Sequence, residues 1–318
     1  MNSDEIKLQA RRALERRWDI KEAELRAAAD KHHPDCVVRG DAIAIGCAEV
    51  YMEQLKKHPD WHCFSDVFLK RKAPEDYLPY GKVARFESTK THSKFWNYHQ
   101  RLGRDNLSEH RIVFYPDDET GLQFKEISSV LENAEGIQIA RLEVAINFGR
   151  QTGVDSRFIR KSFVSGKCRP NSANSWGQRN GTKFIRSYFK KEIGAHRLEL
   201  QLNWRFVRKN NINDLFDIGR LAKLLPDHHI LFAQIDEYKV IEHLRHNWTA
   251  AKTLDILRQV HSLEGDLFAQ LALLRKSGHL KNTRRLLTKL PINQRITEAL
   301  KEWVSQWPTD PSRLGRKP

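Results

Sequence analysis

The chain is short of cysteine. Four stand in 318 residues (Cys36, Cys47, Cys63 and Cys168), and no two form a CxxC pair. That scatter excludes a disulfide framework and reads as a reduced, cytoplasmic protein. No run of about 18 apolar residues occurs, so no helical membrane span is expected. The opening stretch MNSDEIKLQARRALERRW is charged and does not read as a signal peptide. The most informative absence lies mid-chain. From Ser156 to Lys191 there is no Asp or Glu, while ten cations occur: Arg157, Arg160, Lys161, Lys167, Arg169, Arg179, Lys183, Arg186, Lys190 and Lys191. These positions hold two thirds of the formal net charge of +15. A segment of this kind repels itself unless a polyanion arrives, nucleic acid before membrane. Rings punctuate it at Phe158, Phe163, Trp176, Phe184, Tyr188 and Phe189. Mixed cations and rings suit single-stranded nucleic acid, through phosphate neutralisation and base stacking.

At 40% hydrophobic and 30% charged residues, the composition is that of a globular protein. Residues 4–30 lack Gly and Pro and read as an N-terminal helical segment, 1–34, ending near HHPD. Its charged face is a solvated one, with a homodimer contact as the alternative. An α+β body follows over 35–245. Residues 41–70 suit either strand or helix. RIVFYP, DDETG and LQFKEI read as a hairpin over 111–127. Strands are expected at 137–148, at KFIRSYFKK and at AHRLELQLNW, the last two joined by a short EIG link. From about 211 the pattern turns helical, and 246–310 forms a helical C-terminal region before a basic tail, 311–318. Within 273–290 a turn at Lys276-Ser277-Gly278, followed by Lys281, Arg284 and Arg285, suggests a helix-turn-helix on duplex DNA, weighed against a helix pair with a basic exposed side. No internal repeat is evident.

Three strands carry chemistry. In RLEVAINF, Arg141, Glu143, Ala145 and Asn147 share one face and Leu142, Val144, Ile146 and Phe148 the other. In HRLELQLNW, Arg197, Glu199, Gln201 and Asn203 lie opposite Leu198, Leu200 and Leu202. Between these near-copies in the chain lies the strand in which Phe184, Arg186, Tyr188 and Lys190 share a parity. If the three strands are neighbours, Glu143, Glu199 and Tyr188 converge. A tyrosine phenolate can attack a DNA phosphate, giving a phosphotyrosine link and a free 3′-hydroxyl. Carboxylates can hold Mg²⁺ or Mn²⁺ to polarise that phosphate. Arg186 and Lys190 are expected to lower the phenol's pKa and hold the flanking phosphate.

The run WGQRNGTKFIRSYFKK, 176–191, resembles the motif of trans-acting replication initiators of rolling-circle plasmids. In that family a Gly-x-Arg stretch leads into a Phe-hydrophobic-Arg-x-Tyr-x-Lys strand, flanked by Arg-hydrophobic-Glu strands. Here those are Arg141-Leu142-Glu143 and Arg197-Leu198-Glu199. The resemblance spans about 140–205. It implies a relaxase-like antiparallel sheet with flanking helices and a metal-dependent nickase that stays attached to one strand of an origin through Tyr188. Glu143 and Glu199 would then be metal-side carboxylates. From their charge and rings, Arg186, Lys190, Lys183, Arg179 and Trp176 are the residues expected on DNA. The partners expected are origin DNA, single-stranded or hairpin, a second copy of the chain, and a host helicase. Two features depart from the pattern. Asn147 stands where the first strand continues to an Asp, and no His-hydrophobic-His triplet stands on a strand, the nearest pairs being His32-His33 and His228-His229.

Blander readings stand beside these. Tyr188 is an ordinary sheet aromatic, Glu143 and Glu199 pair with Arg197 and Arg141 across the sheet without metal, and Tyr238 is a helix-surface or core residue rather than a second nucleophile. His32-His33-Pro34-Asp35-Cys36 has ligand types for zinc but no second cluster to match. Trp176 either stacks a base or closes a loop. The alternative functions are a non-enzymatic single-stranded DNA- or RNA-binding protein and a phage or transposon nickase.

Overall fold

The computed structural model describes residues 35–69, 80–102, 108–117, 120–164, 170–172, 174–179, 181–263, 265–277 and 283–308. The expected N-terminal helical segment 1–34, the pair His32-His33, Cys168 and the tail 311–318 lie outside the described residues.

The first half is built mostly of strands: β1 (Cys36–Cys47), β2 (Glu49–Val50), β3 (Trp61–Phe68), β4 (Tyr80–Ser88), β5 (Lys94–Arg101) and β6 (His110–Tyr115), with a short helix α1 (Met52–Lys56). Then come α2 (Phe124–Leu131), β7 (Ala134–Glu135), β8 (Gln138–Phe148), α3 (Ser156–Ser162), β9 (Phe163–Val164), β10 (Pro170–Ser172), β11 (Ser175–Gly177), β12 (Lys183–Lys190) and β13 (Ala195–Asn203). Helices dominate the rest: α4 (Trp204–Lys209), α5 (Leu221–His228), α6 (Glu237–Asn247), α7 (Ala250–Ser262), α8 (Leu267–Ser277) and α9 (Ile292–Ser305), with β14 (Leu231–Ile235) and β15 (Leu287–Lys289) between them.

Ten strands form one sheet, in the order β10-β11-β12-β13-β8-β1-β6-β5-β4-β3. The pairings are antiparallel throughout, from β10–β11 to β3–β4. The protein is therefore an α+β fold on a large antiparallel sheet, with flanking helices and a helical C-terminal part. Period-2 alternation explains which face is covered. Leu142, Val144, Ile146 and Phe148 of β8 join Leu198, Leu200 and Leu202 of β13, and Ile43 and Ile45 of β1, in one core. Helices close over that face with Ile127 and Val130 of α2, Leu221 and Leu225 of α5, and Ile296, Leu300 and Trp303 of α9. Each such side chain contributes roughly 1.5–3 kcal/mol by leaving water, so the register of these strands is strongly fixed: a one-residue slip would turn every leucine outward. The polar set of β8 and β13 is thereby forced to the opposite face.

Two irregularities interrupt the β1–β8 pairing, at Gly40/Ala42 and at Ala44/Ile45, and the first bears on the site. Between β1 and β8, Gly40 pairs with Val144 and Ala42 with Glu143, leaving Asp41 as an extra residue in a β-bulge. Glycine is required beside it. A Cβ at Gly40 would meet Leu122 Cδ1 at 2.7 Å, and the Leu122 amide donates to the Gly40 carbonyl at 2.9 Å.

Two local expectations are corrected. Residues 111–127 are not a hairpin: β6 ends at Tyr115 and the stretch from Phe124 is helix α2. Ile127, Val130 and Leu131 lie at i, i+3, i+4 and are buried against the sheet, so the helical period prevails over the short alternation in LQFKEI. In the C-terminal region Gly278 and Lys281 of the expected turn lie outside the described residues, and among the described residues 283–290 carry no helix that could serve as the second of a helix-turn-helix. Arg284 and Arg285 lie in a 3₁₀ turn, Thr283–Leu286, and Leu287–Lys289 pairs with β14. The pairing that satisfies these backbone groups overrides a helix-compatible sequence. No helix among the described residues is long and apolar enough to cross a membrane.

Candidate active site

The three chemistry-bearing strands are adjacent, but the Glu199 strand sits in the middle, between the Tyr188 strand and the Glu143 strand. Register then brings the groups together. Tyr188 faces Arg197, which faces Asn147; Arg186 faces Glu199, which faces Ala145; Glu143 faces Gln201. The Tyr188 hydroxyl donates to Glu199 Oε2 at 2.9 Å. Arg186 donates to Glu199 Oε1 from Nε at 2.7 Å and from a terminal nitrogen at 2.6 Å. Its guanidinium also lies 5.4 Å from the Tyr188 ring centroid. Glu199 is 3% exposed, so it is a buried carboxylate with both oxygens occupied.

The bulge supplies a residue that sequence reasoning missed. Asp41 joins Glu143 and Glu199 in a cluster whose ligand oxygens all lie within 4.8 Å of one another. Asn147, the departure from the family pattern, is not part of this cluster. Asn147 is fully buried and its Oδ1 accepts from Arg197 Nε at 2.8 Å; its Nδ2 has no hydrogen-bond partner among the described residues. It orients an arginine, and Asp41 brings the third carboxylate from the neighbouring strand. The only signal for Asp41 in the sequence is a Gly-Asp pair interrupting the apolar alternation of CVVRGDAIAIGC, and a bulge is a two-against-one count that alternation alone does not reveal. The ion pairs also differ from the cross-sheet exchange set out as the metal-free alternative: Glu143 pairs with Arg141 on its own strand at 3.2 Å, Glu199 pairs with Arg186, and Arg197 contacts Asp41 at 2.6 Å.

Electrostatics follow from this packing. Burial raises Glu143 above its ordinary value, with Arg141 opposing and Asp41 adding to the rise. Burial likewise raises Glu199, reinforced by Asp41 and opposed by Arg186. The Tyr188 phenol is pushed up by burial and then by the Glu199 carboxylate, with Arg197 opposing. This corrects the expectation that neighbouring cations depress it: the phenol is held protonated, as a donor to Glu199. Three close carboxylates on a partly buried face form an all-oxygen donor set that fits Mg²⁺ or Mn²⁺.

The raised carboxyls make stability depend on pH. A carboxyl with a raised folded pKa binds its proton more tightly in the native state, so the metal-free protein loses stability as pH rises from the ordinary value of 4.5 through the raised ones. A divalent cation competes with those protons. Mn²⁺ should therefore raise the melting temperature more at pH 8 than at pH 5, and an equal shift at both would count against a metal held by these acids.

The remaining expected site residues divide. Arg179 is exposed in the β11–β12 turn, and its charge pulls Glu143 downward. Lys190 shares the Tyr188 parity and is partly exposed. Lys183 does not join them: it has the opposite parity, is 9% exposed, and its Nζ lies 2.8 Å from His229 Nδ1. Trp176 is also drawn inward. It pairs with Ile185 on the core side and packs edge-on against Phe163 at 5.0 Å. Against a nucleic acid, the partner implied by the mid-chain charge, Lys183→Met should accordingly change affinity less than twofold, while Arg179→Ala reduces the salt slope of binding by about one; a salt slope lowered by Lys183→Met would contradict the inward placement. Tyr238 is 75% exposed on α6, far along the chain from the acidic cluster.

No protein-family model matches the chain, and no curated protein sequence matches it. Among solved structures, the chain is similar to a rolling circle replication initiator protein from Geobacillus stearothermophilus. The two are 14% identical, with a TM-score of 0.38, over 63% of this chain and 87% of that one.

Proposed function

We propose that this protein is a replication initiator that nicks and rejoins DNA through Tyr188. The observation that carries the reading is the Tyr188 hydroxyl hydrogen-bonded at 2.9 Å to a carboxylate, Glu199, that is itself one of three clustered acids. In the proposed step the phenol proton passes to Glu199 Oε2, the oxygen it already bonds. The Tyr188 Oη–P bond forms as the bond from phosphorus to the 3′-oxygen breaks, giving a 5′-phosphotyrosine link. The departing 3′-oxygen takes a proton from water and becomes a free 3′-hydroxyl. Rejoining is the reverse, with that hydroxyl attacking phosphorus and the phenol reprotonated. Asp41, Glu143 and Glu199 would hold Mg²⁺ or Mn²⁺, which when bound supplies Lewis-acid polarisation of the phosphate. Arg186, half exposed beside the tyrosine, holds the flanking phosphate, with Arg179 and Lys190 extending the positive surface. The plasmid setting follows from the motif resemblance alone, and a phage or transposon nickase would use the same chemistry.

The test is a covalent-adduct assay with pooled hairpin and single-stranded oligonucleotides and Mg²⁺ or Mn²⁺, read on a denaturing gel. A second reading, a non-enzymatic single-strand binder, draws on the protonated state of Tyr188 and the arginine partners of the acids. Metal separates the two: cleavage requires it, and binding by cations and rings does not.

A further inference from the structure

The proposed centre accounts for cations and rings on β12 but leaves one feature unused. Trp204 is 51% exposed, an unusual position for so large an apolar side chain. It begins α4 directly after β13, the strand of Glu199, Gln201 and Asn203. The Arg205 guanidinium lies 5.4 Å from its ring centroid. Phe206 and Val207 of the same turn are buried in the core, so the helix is anchored while Trp204, Arg205, Arg208 and Lys209 remain exposed. From Leu200 to Asn213 there is no acidic residue.

The residue that precedes this patch is tied to the loop that carries Arg179. Asn203 Nδ2 donates to the carbonyls of Arg179 at 2.9 Å and Gly181 at 2.6 Å, and Gln201 Nε2 also donates to the Arg179 carbonyl at 3.0 Å. The loop whose arginine acts on Glu143 is thus pinned to the residue preceding Trp204. Along β13, Trp204 lies five residues from Glu199, roughly 16 Å at the rise of a strand. At 3.4 Å per nucleotide of one strand, that is about five nucleotides at most.

We infer that Trp204 is a base-stacking platform, backed by Arg205, that grips the single strand running off the nicking centre. Its place relative to the cut bond rests on the proposed function; its binding of single-stranded DNA does not. A tryptophan face accepts any base, and the surrounding cations neutralise the phosphates on either side, so the contact tolerates sequence and depends on salt. A second copy of this chain is the other occupant such a face could take, but the run of cations without an acid favours a polyanion over a like-charged surface.

The test is binding of a fluorescein-labelled 15-nucleotide oligo-dT, by anisotropy, to the full chain and its variants. Trp204→Ala should weaken binding about tenfold with the salt slope unchanged, and Trp204→Phe should retain most of the affinity. Arg205→Ala should lower the salt slope by about one. The titrations are run in EDTA, where the proposed metal-dependent nicking does not proceed, so the platform is judged by binding whether or not the protein forms an adduct with metal present. Because Trp204 is exposed, circular dichroism should report a folded Trp204→Ala protein; if it does not, Trp204→Phe and Arg205→Ala still decide the matter. Wild-type protein that fails to bind oligo-dT, Trp204→Ala that binds within twofold of wild type, or a Trp204→Ala change confined to sedimentation would each overturn the inference.

Discussion

Tyr188→Phe should abolish covalent attachment to DNA while leaving DNA binding and the fold in place. The substitution removes a single oxygen. The ring stays beside Arg186, whose guanidinium is 5.4 Å from its centroid, and Glu199 keeps both bonds to Arg186. The loss of one hydrogen bond should cost about 1 kcal/mol of stability, with the other partner of Glu199 still present. Chemistry should suffer far more, because removing a nucleophile takes away the whole covalent route; losses of the order of 10⁶ are typical, which on a gel is no adduct at all. Chelating Mg²⁺ or Mn²⁺ should do the same to the wild type, and re-addition should restore the adduct. An adduct that survives Tyr188→Phe would move the nucleophile elsewhere, and the exposed Tyr238 would be the next residue to change.

The contrast between what alternation revealed and what it concealed has a physical basis. The strands of Glu143, Tyr188 and Glu199 were legible because each is long, alternates cleanly and ends in turn residues; Gly194, at φ 62°, closes the link between β12 and β13 as only a turn glycine does readily. The same alternation already assigns Lys183 to the parity opposite Tyr188, and its inward placement follows from that parity. Trp176 required one more step, the pairing with Ile185, which no single strand reveals. Asp41 was hidden for the opposite reason: a bulge breaks the period, so the residue that completes the acidic cluster sits where the pattern fails. Functional groups concentrate at such breaks, because a bulge is how a strand re-aims a side chain toward a neighbour's face. The direction of the Tyr188 shift was likewise beyond counting charges. Arg186 is close, but it is bonded to Glu199, and burial with that carboxylate outweighs the cations.

Arg197→Ala should destabilise the protein by about 3–5 kcal/mol, the cost of breaking a buried ion pair from one side. The Arg197 side chain is only 2% exposed. It donates to Asp41 Oδ1 at 2.6 Å and to Asn147 Oδ1 at 2.8 Å, and so ties the bulge of β1 to β8 across the face that holds the acids. Without it, Asp41 faces Glu143 and Glu199 with its principal counter-charge gone, the Asn147 carbonyl loses its donor, and a large cavity opens. The measurement is urea unfolding of the metal-free protein at about pH 7.5, above the ordinary carboxylate range. Adding Asp41→Asn to Arg197→Ala should recover part of the loss, because it removes the charge that was left behind; the two changes should be strongly non-additive. Manganese supplies an independent check. Removing a buried positive charge deepens the negative potential of the cluster, so Mn²⁺ should stabilise Arg197→Ala by more than it stabilises the wild type. If the variant unfolds at the wild-type midpoint and responds to Mn²⁺ no differently, Arg197 is not what holds Asp41 toward Glu143 and Glu199, and the bulge must be kept in place by Gly40 and Leu122 alone.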